Sequence, residues 1–401
     1  MNNINGTKDC YGCGVCAIVC AQKIITISLN SSGFYSPKIT DLSVCTNCGL
    51  CLSVCAYQSD QVEKSNDDIK SYSGWSKDSL VRRKCSSGGI GFELGLHLLK
   101  EGYKVCGVRY NVEKNQAEHY IAKTKEELVQ SAGSKYIQSY TVDGFSAINR
   151  KEKYLVTGTP CQIDSFRKYI KKFRVEDNFV LMDFFCHGVP SKLMWDKYIK
   201  EVEKKTGKIT YVSWRNKFTG WHDSWSMAID GENVGEKVNW HDSYNMLIRG
   251  KKTYYNSRLS QGDLFYKMFL GNSCLGKACY DKCKYKMYSS AADIRIGDMW
   301  GNYYKDNEDG VSAILAFTDK GKSILSNMDN CKLVQMDKEI VTEGQMKSAA
   351  KRNLLYEPIL NLLRREEVSL QIIKVSILQP LYLIYLPIKV INRIKRILWK
   401  K

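Results

Sequence analysis

A chain of 401 residues, 44% apolar and with a formal charge of +18, is long enough for two or three domains with buried cores. The charge suits an anionic surface, but no helix-turn-helix, zinc-finger or aromatic RNA-binding signature accompanies it, and lysines are scattered along the chain, which argues against nucleic acid. Sixteen cysteines follow a start, MNNINGTKDC, that lacks an apolar signal segment, so a reducing, cytoplasmic setting with thiolates free for metal is expected rather than disulfides.

The first predicted element is a pair of cysteine runs, Cys10, Cys13, Cys16, Cys20 and Cys45, Cys48, Cys51, Cys55. Each reads C-x2-C-x2-C-x3-C, and CGVCAIVCA repeats as CGLCLSVCA at an offset of 35 residues, an internal duplication. Three thiolates two residues apart wrap one face of a cubane cluster, and the fourth, three residues on, serves the other cluster. The spacing therefore assigns Cys10, Cys13, Cys16 and Cys55 to one 4Fe–4S centre, and Cys45, Cys48, Cys51 and Cys20 to a second. Zinc knuckles also use paired C-x2-C units, but not four cysteines at this spacing given twice. Gly14 and Gly49 let the backbone approach inorganic sulfide and aim N–H groups at it. The runs resemble the two-cluster bacterial ferredoxins, except that the proline usual after the fourth cysteine is Ala21 and Ala56. That change loosens a turn and removes no ligand. Residues 1–60 are thus expected to form a ferredoxin-type domain with little core beyond its clusters, and the polar stretch within 61–84 a linker.

From Cys85 strands and helices alternate. Ser86, Ser87, Gly88 and Gly89 stand directly before a helix with Phe92, Leu96 and Leu99 on its apolar face. Hydroxyls and glycine N–H groups at a helix start suit the phosphates of a flavin or nucleotide; an ordinary N-cap reads equally well. Strand-like YKVCGVRY and HYIAK lead to a helix opened by the capping box Thr124-x-x-Glu127, then to Gly133–Ser139, whose Lys135 is placed to meet a phosphate or a flavin carbonyl. KYLVTG and NFVLMDFF read as buried strands, each followed by a loop and a helix. Such units imply neighbouring parallel strands, with Cys161 and Cys186 side by side at their carboxyl ends. His187 is a candidate hydrogen-bond donor behind the cysteines or a proton relay; a structural hydrogen bond to the loop reads equally well.

From Thr210, YVSWRNKFTGWHDSWSMAI reads as a hairpin whose Trp214, Trp221 and Trp225 pack a sheet face, with Arg215 and Lys217 available to an anionic substrate. NSCLGKACYDKCKYK then offers Cys279 and Cys283 to complete a third 4Fe–4S centre with Cys161 and Cys186, Cys274 being the reserve ligand and a local zinc site the alternative. Cys106 reads as core, while Cys85 and Cys331 stay unassigned. DIRIGDMWG is a short strand and turn carrying Asp298. At the end, VSILQPLYLIYLPI is apolar but too short and too broken by Pro380 and Pro387 to span a bilayer. It runs into KVINRIKRILWKK, the composition of an interfacial segment drawn to anionic lipid; docking on the chain's own core or on a partner is the alternative.

Cys85 to Gly301 resembles the coenzyme F-420 hydrogenase/dehydrogenase beta-subunit family, in SSGG at Ser86–Gly89, GSKYIQS at Gly133–Ser139, GTPCQ at Gly158–Gln162, CHGVPS at Cys186–Ser191, CYDKCKYK at Cys279–Lys286 and DIRIGDMWG at Asp293–Gly301. The resemblance implies an iron–sulfur flavoprotein, with FAD held near Ser86, Ser87, Gly88, Gly89, Lys135, Tyr136, Gly158 and Thr159. It also implies a cluster held partly by Cys161 and Cys186. The family's final pair is usually C-x2-C; here it is C-x3-C with the extra Cys274.

The expected fold is α+β and α/β: a bacterial-ferredoxin-like domain (1–60), a linker (61–84), an α/β flavin-binding domain with a partly parallel sheet (85–200), a mixed, aromatic-rich sheet region with the third cysteine group (201–335), and a helical, amphipathic basic tail (336–401). Clusters pass single electrons and most organic substrates exchange pairs, so a flavin belongs between them. The expected function is an oxidoreductase linking a ferredoxin-like donor to a small-molecule substrate or a deazaflavin coenzyme, with Lys135, His187 and Asp298 as candidate acid–base groups. The alternative is a non-catalytic electron-transfer module docked on a membrane or partner enzyme, with a link to surface polysaccharide as a further possibility. The tail places the protein peripherally at the inner face of the cell membrane.

Overall fold

The computed structural model describes residues 2–63, 68–234, 255–380 and 383. Its strands in chain order are β1 (Ile25–Leu29), β2 (Tyr35–Ile39), β3 (Lys70–Ser76), β4 (Lys104–Asn111), β5 (Gln116–Ala122), β6 (Ser139–Tyr140), β7 (Tyr154–Thr157), β8 (Phe179–Phe184), β9 (Ile209–Ser213), β10 (Ser226–Gly231), β11 (Tyr255–Arg258), β12 (Ile294–Asp298), β13 (Ser312–Ala316) and β14 (Cys331–Gln335). Nine of them form one mixed sheet in the order β14-β3-β13-β12-β8-β7-β4-β5-β6. Its centre, β12-β8-β7-β4, is parallel, and antiparallel pairs flank it on both sides. The apolar strands β7 and β8 are buried along almost their whole length, as inner parallel strands require. The helices Pro160–Lys172 and Lys192–Thr206 follow them, so two loops open side by side at one end of the sheet.

The expected boundaries shift in two places. The stretch 61–84 contains β3, an inner strand between β13 and β14, and the helix Ser79–Lys84. KSYSGWS resembles a turn because of its serines and glycine, but small residues are what this position demands: a Cβ on Gly74 would lie 2.6 Å from Leu333 and 3.0 Å from Ile314. The division at 200 also cuts through the sheet, since β12 of the later segment pairs in parallel with β8 of the earlier one. The aromatic region forms a separate three-stranded antiparallel sheet, β11-β10-β9, with Trp214 and Trp221 buried.

The first sixty residues contain the antiparallel pair β1–β2 and two short helices, Val15–Val19 and Leu50–Ser53, at the same 35-residue offset as the cysteines. Both helices begin after a left-handed glycine, Gly14 and Gly49, each at φ +73°. Contrary to a core made of clusters alone, Val15, Val19, Ile25 and Val54 share one apolar cluster with Phe145, Ile163 and Phe166 of the large sheet unit. Polar ties add to it: Gln138 accepts from Tyr35 N (2.9 Å) and donates to Tyr11 O (3.1 Å), while Thr141 donates to Cys13 O (2.8 Å).

Of the tail, Leu370 and Ile373 are buried in the core around Trp195, and Ile377 and Leu378 pack against it. The basic segment expected to meet lipid, 389–401, lies outside the described residues. Among the described residues no helix is long and apolar enough to cross a membrane.

His119 on β5 is buried with its Nε2 2.9 Å from Thr157 O, and burial holds its pKa down at about 4 against an ordinary 6.5. The unfolded chain takes up this proton first as pH falls, so stability present above pH 6.5 is lost progressively toward pH 4. The loss is on the order of 3 kcal/mol. A His119→Gln variant is expected to show a flatter dependence of melting temperature on pH across that window, measured by calorimetry.

Candidate metal centres

Three distant stretches meet at the open end of β7 and β8. Cys161 comes from the first turn of Pro160–Lys172, Cys186 from the loop after β8, and Cys279 and Cys283 from the short helix Lys277–Asp281 and the residue stretch after it. All four line one cavity of about 50 Å³, together with Cys10 and His187. One water needs about 10–15 Å³, so the space has room for more than a single water. Burial pushes the Cys161 thiol well up, Cys186 to about 12 and Cys279 to about 11, and neighbouring cysteines of the group push each of these three further. Four thiols gathered on one cavity fit a positively charged iron–sulfur core, which would accept all four as thiolates.

The loop geometry at this site follows from local sequence. Thr159 and Gln162 form a capping box with Pro160 in the first turn, which fixes the direction in which Cys161 leaves the strand. Gly188 has φ +153°, and a Cβ there would sit 2.9 Å from Leu275 and 3.4 Å from the Cys279 Cβ, so only glycine lets the loop after Cys186 lie against the later cysteines. The Lys286 ammonium donates to Cys186 O (2.5 Å) and His187 O (3.2 Å), bringing a positive charge to the group. Cys274 is not part of it. Its thiol is fully buried 3.4 Å from Met194 Sδ, in the core, which removes it from the reserve role.

Near the N-terminus, Cys10, Cys13, Cys16 and Cys55 lie close enough to raise one another's thiols, after burial, which is the larger cause. Burial also raises Cys51, with a smaller push from Cys48. Cys45 Sγ lies 3.5 Å from Asn3 Nδ2, and Cys48 is the exposed member of that set. Among the described residues, no three His, Cys, Asp or Glu side chains close on a point as ligands of a single ion would.

The residues expected to hold FAD divide into two places. Thr159 lines the cysteine cavity, whereas Ser86 and Tyr136 gather around Arg215. The fully buried Arg215 makes a two-pronged ion pair with Asp298 (2.8 and 3.1 Å), donates to Tyr136 Oη (3.2 Å) and Ser86 O (3.3 Å), and lies over the Trp225 ring. Most polar groups here already have partners within the protein. Ser134 N donates to Ser86 Oγ (3.0 Å), Gly88 N to Ser312 Oγ (3.0 Å), and the Ser87 and Ser312 hydroxyls bond each other. Gly89 is the left-handed cap of the helix Ile90–Lys100, and a Cβ on Gly88 would clash with Gly74 O at 2.2 Å, so these glycines serve close packing.

The three candidate acid–base residues are likewise engaged. Lys135, placed by sequence to meet a phosphate or a flavin, instead donates to the carbonyls of Gln130, Ala132 and Gly133 at 2.9–3.1 Å. Asp298 accepts from Arg215 and from Trp221 Nε1 (2.8 Å). His187 lines the cavity with Nε2 3.2 Å from Phe269 O and Nδ1 3.0 Å from Met346 Sδ, and burial lowers its pKa. Lys217, read as a possible substrate contact, donates to the carbonyls of Arg82, Ser87 and Asp309. Sequence reasoning missed Ser165, Asp183 and Arg295, whose roles arise from contacts across more than a hundred residues and leave no local pattern.

Duplicated cysteine runs packed on a mixed α/β sheet define an iron–sulfur protein of the oxidoreductase class, and a model described as a 4Fe-4S dicluster domain matches residues 9–59. The chain belongs to the coenzyme F420 hydrogenase/dehydrogenase beta-subunit family, whose N-terminal and C-terminal models match residues 71–144 and 151–340. A stretch of 72 residues is 39% identical to the beta subunit of coenzyme F420 hydrogenase from Methanococcus voltae, covering 16% of this chain and 26% of that protein. A chain in the xenon-derivatised F420-reducing NiFe hydrogenase complex from Methanosarcina barkeri is 16% identical, with a TM-score of 0.46, over 71% of this chain and 89% of that one.

Proposed function

We propose that this chain is an electron-carrying oxidoreductase with three 4Fe–4S centres. Cys10, Cys13, Cys16 and Cys55 hold the first, Cys20, Cys45, Cys48 and Cys51 the second, and Cys161, Cys186, Cys279 and Cys283 the third. When bound, such clusters supply one-electron steps, and an FAD beside them would exchange electron pairs with a small molecule or a deazaflavin coenzyme. The observation that carries the reading is the cavity itself. Four cysteines from three separate stretches line it, and Cys10 of the first group lines it too, so the first and third groups adjoin. Exposed Cys48 puts the second group at the surface, where a ferredoxin-like or other redox partner can reach it.

The case for FAD rests on family membership, because the polar groups at Ser86–Gly89 and Lys135 are bonded within the protein. That same observation favours a second reading, a non-catalytic electron-transfer module docked on a partner enzyme. Iron, acid-labile sulfide and released flavin per chain, after anaerobic purification, separate the two. About twelve irons with one FAD, and reduction of deazaflavin by the reduced protein, support the oxidoreductase. About twelve irons without flavin support the module, and about eight irons remove the third centre from both.

A further inference from the structure

The helix Pro160–Lys172 touches two cysteine groups at once. Cys161 lies in its first turn and lines the third group's cavity, and Ser165 follows four residues later. Residues four apart share a face of a helix, separated by about 6 Å along its axis. The Ser165 side chain is fully buried, with its Oγ 3.3 Å from Cys13 Sγ and accepting from the backbone N–H of Ala56 at 3.1 Å. Ala56 directly follows Cys55, so one hydroxyl bonds to the sulfur of one first-group cysteine and to the backbone beside another.

The direction of the bond to sulfur follows from valence. With the Ala56 N–H donating to Oγ, the hydroxyl keeps its own proton to give. A cysteine thiolate on a metal has no proton, so the hydroxyl must be the donor. A hydrogen bond donated to a ligand sulfur stabilises the more negative, reduced state of the centre and raises its potential.

We propose that Ser165 is a positioning residue for electron transfer between the first and third centres. Its hydroxyl raises the potential of the centre held by Cys10, Cys13, Cys16 and Cys55, and its helix sets that centre's distance from the one held by Cys161. In the step it serves, one electron leaves one centre and one enters the other, with no proton moved and no bond made or broken. The inference rests on the ligand sets given under Proposed function.

The test uses the full, anaerobically loaded chain as native protein, Ser165→Ala and Ser165→Thr, with iron counted and each centre titrated by electron paramagnetic resonance at controlled potential. The expected result is an unchanged iron count in all three proteins and one centre alone shifted to a lower potential in Ser165→Ala, with Ser165→Thr close to native. A tenfold change in that centre's reduction equilibrium corresponds to 59 mV for one electron. An unmoved potential in Ser165→Ala would overturn the proposal, as would a common shift of all centres. Loss of the first centre's iron in Ser165→Ala would also overturn it, leaving the serine a purely structural part. A native protein with fewer than three titrating centres would instead refute the ligand sets, a failure its own potential titration reveals before any variant is compared.

Discussion

Replacing Cys161 and Cys186 together by alanine is expected to lower iron from about twelve to about eight per anaerobically purified chain, while the N-terminal centres keep their absorbance. The two cysteines stand at matched places after parallel neighbours β7 and β8, so the double change removes half of the ligand set proposed for the third centre. Two thiolates on a single short stretch, Cys279 and Cys283, do not enclose a cubane without them. The N-terminal groups should survive because their cysteines come only from the first sixty residues, and Ser165, the helix contact to Cys13, is untouched. A loss of all iron would mean that the third group organises the other two, and an unchanged count would remove it as a cluster site.

The second large effect is expected at Arg295. It pairs with Asp183 through two bonds, 2.7 and 2.6 Å, with both side chains fully buried, and the two residues face each other across the parallel pair β12–β8. The same guanidinium donates to Tyr285 O (3.1 Å), Met287 O (2.8 Å) and Ser289 O (3.1 Å), and so gathers the loop after Cys283. Within that loop Lys286 reaches the Cys186 carbonyl. Arg295→Leu leaves the buried Asp183 carboxylate without its counter-charge, with the Ser290 hydroxyl still donating to it at 2.7 Å, and three carbonyls without this donor, a cost of about 3–5 kcal/mol. The melting temperature should fall sharply, and iron should drop toward the content of the Cys161/Cys186 double variant. In Asp183→Asn the guanidinium keeps its carbonyls and an accepting amide oxygen, so a smaller loss is expected. Equal losses in the two variants would show that the loop contacts matter little.

Much of the candidate site was legible because thiolate spacing is local chemistry. A duplicated C-x2-C-x2-C-x3-C run states its own ligand geometry, and the dicluster model matches the stretch that contains it. The parallel pairing of β7 and β8 was legible for a similar reason, since two apolar runs followed by loops and helices leave few other arrangements. Cys161, Cys186, Cys279 and Cys283 were named from strand ends and motif spacing, but their meeting around one cavity needed the fold.

What the sequence by itself determined about this protein is its chemistry: cysteine-rich, duplicated, metal-directed, and built on alternating strands and helices. What only the tertiary structure decided is which polar and thiol groups are available to that chemistry. Lys135, Lys217 and Asp298 have side chains suited to a ligand, yet burial obliges each to find a partner, and the fold supplies carbonyls or Arg215. Cys274 sits five residues before Cys279 but points into the core beside Met194. The Ser-rich stretch 70–76 became an inner strand because β13 and β14, more than two hundred residues later, need small neighbours there. Such outcomes depend on long-range burial, where desolvation makes every unpaired polar group costly, and no short window of sequence contains the partner that relieves it.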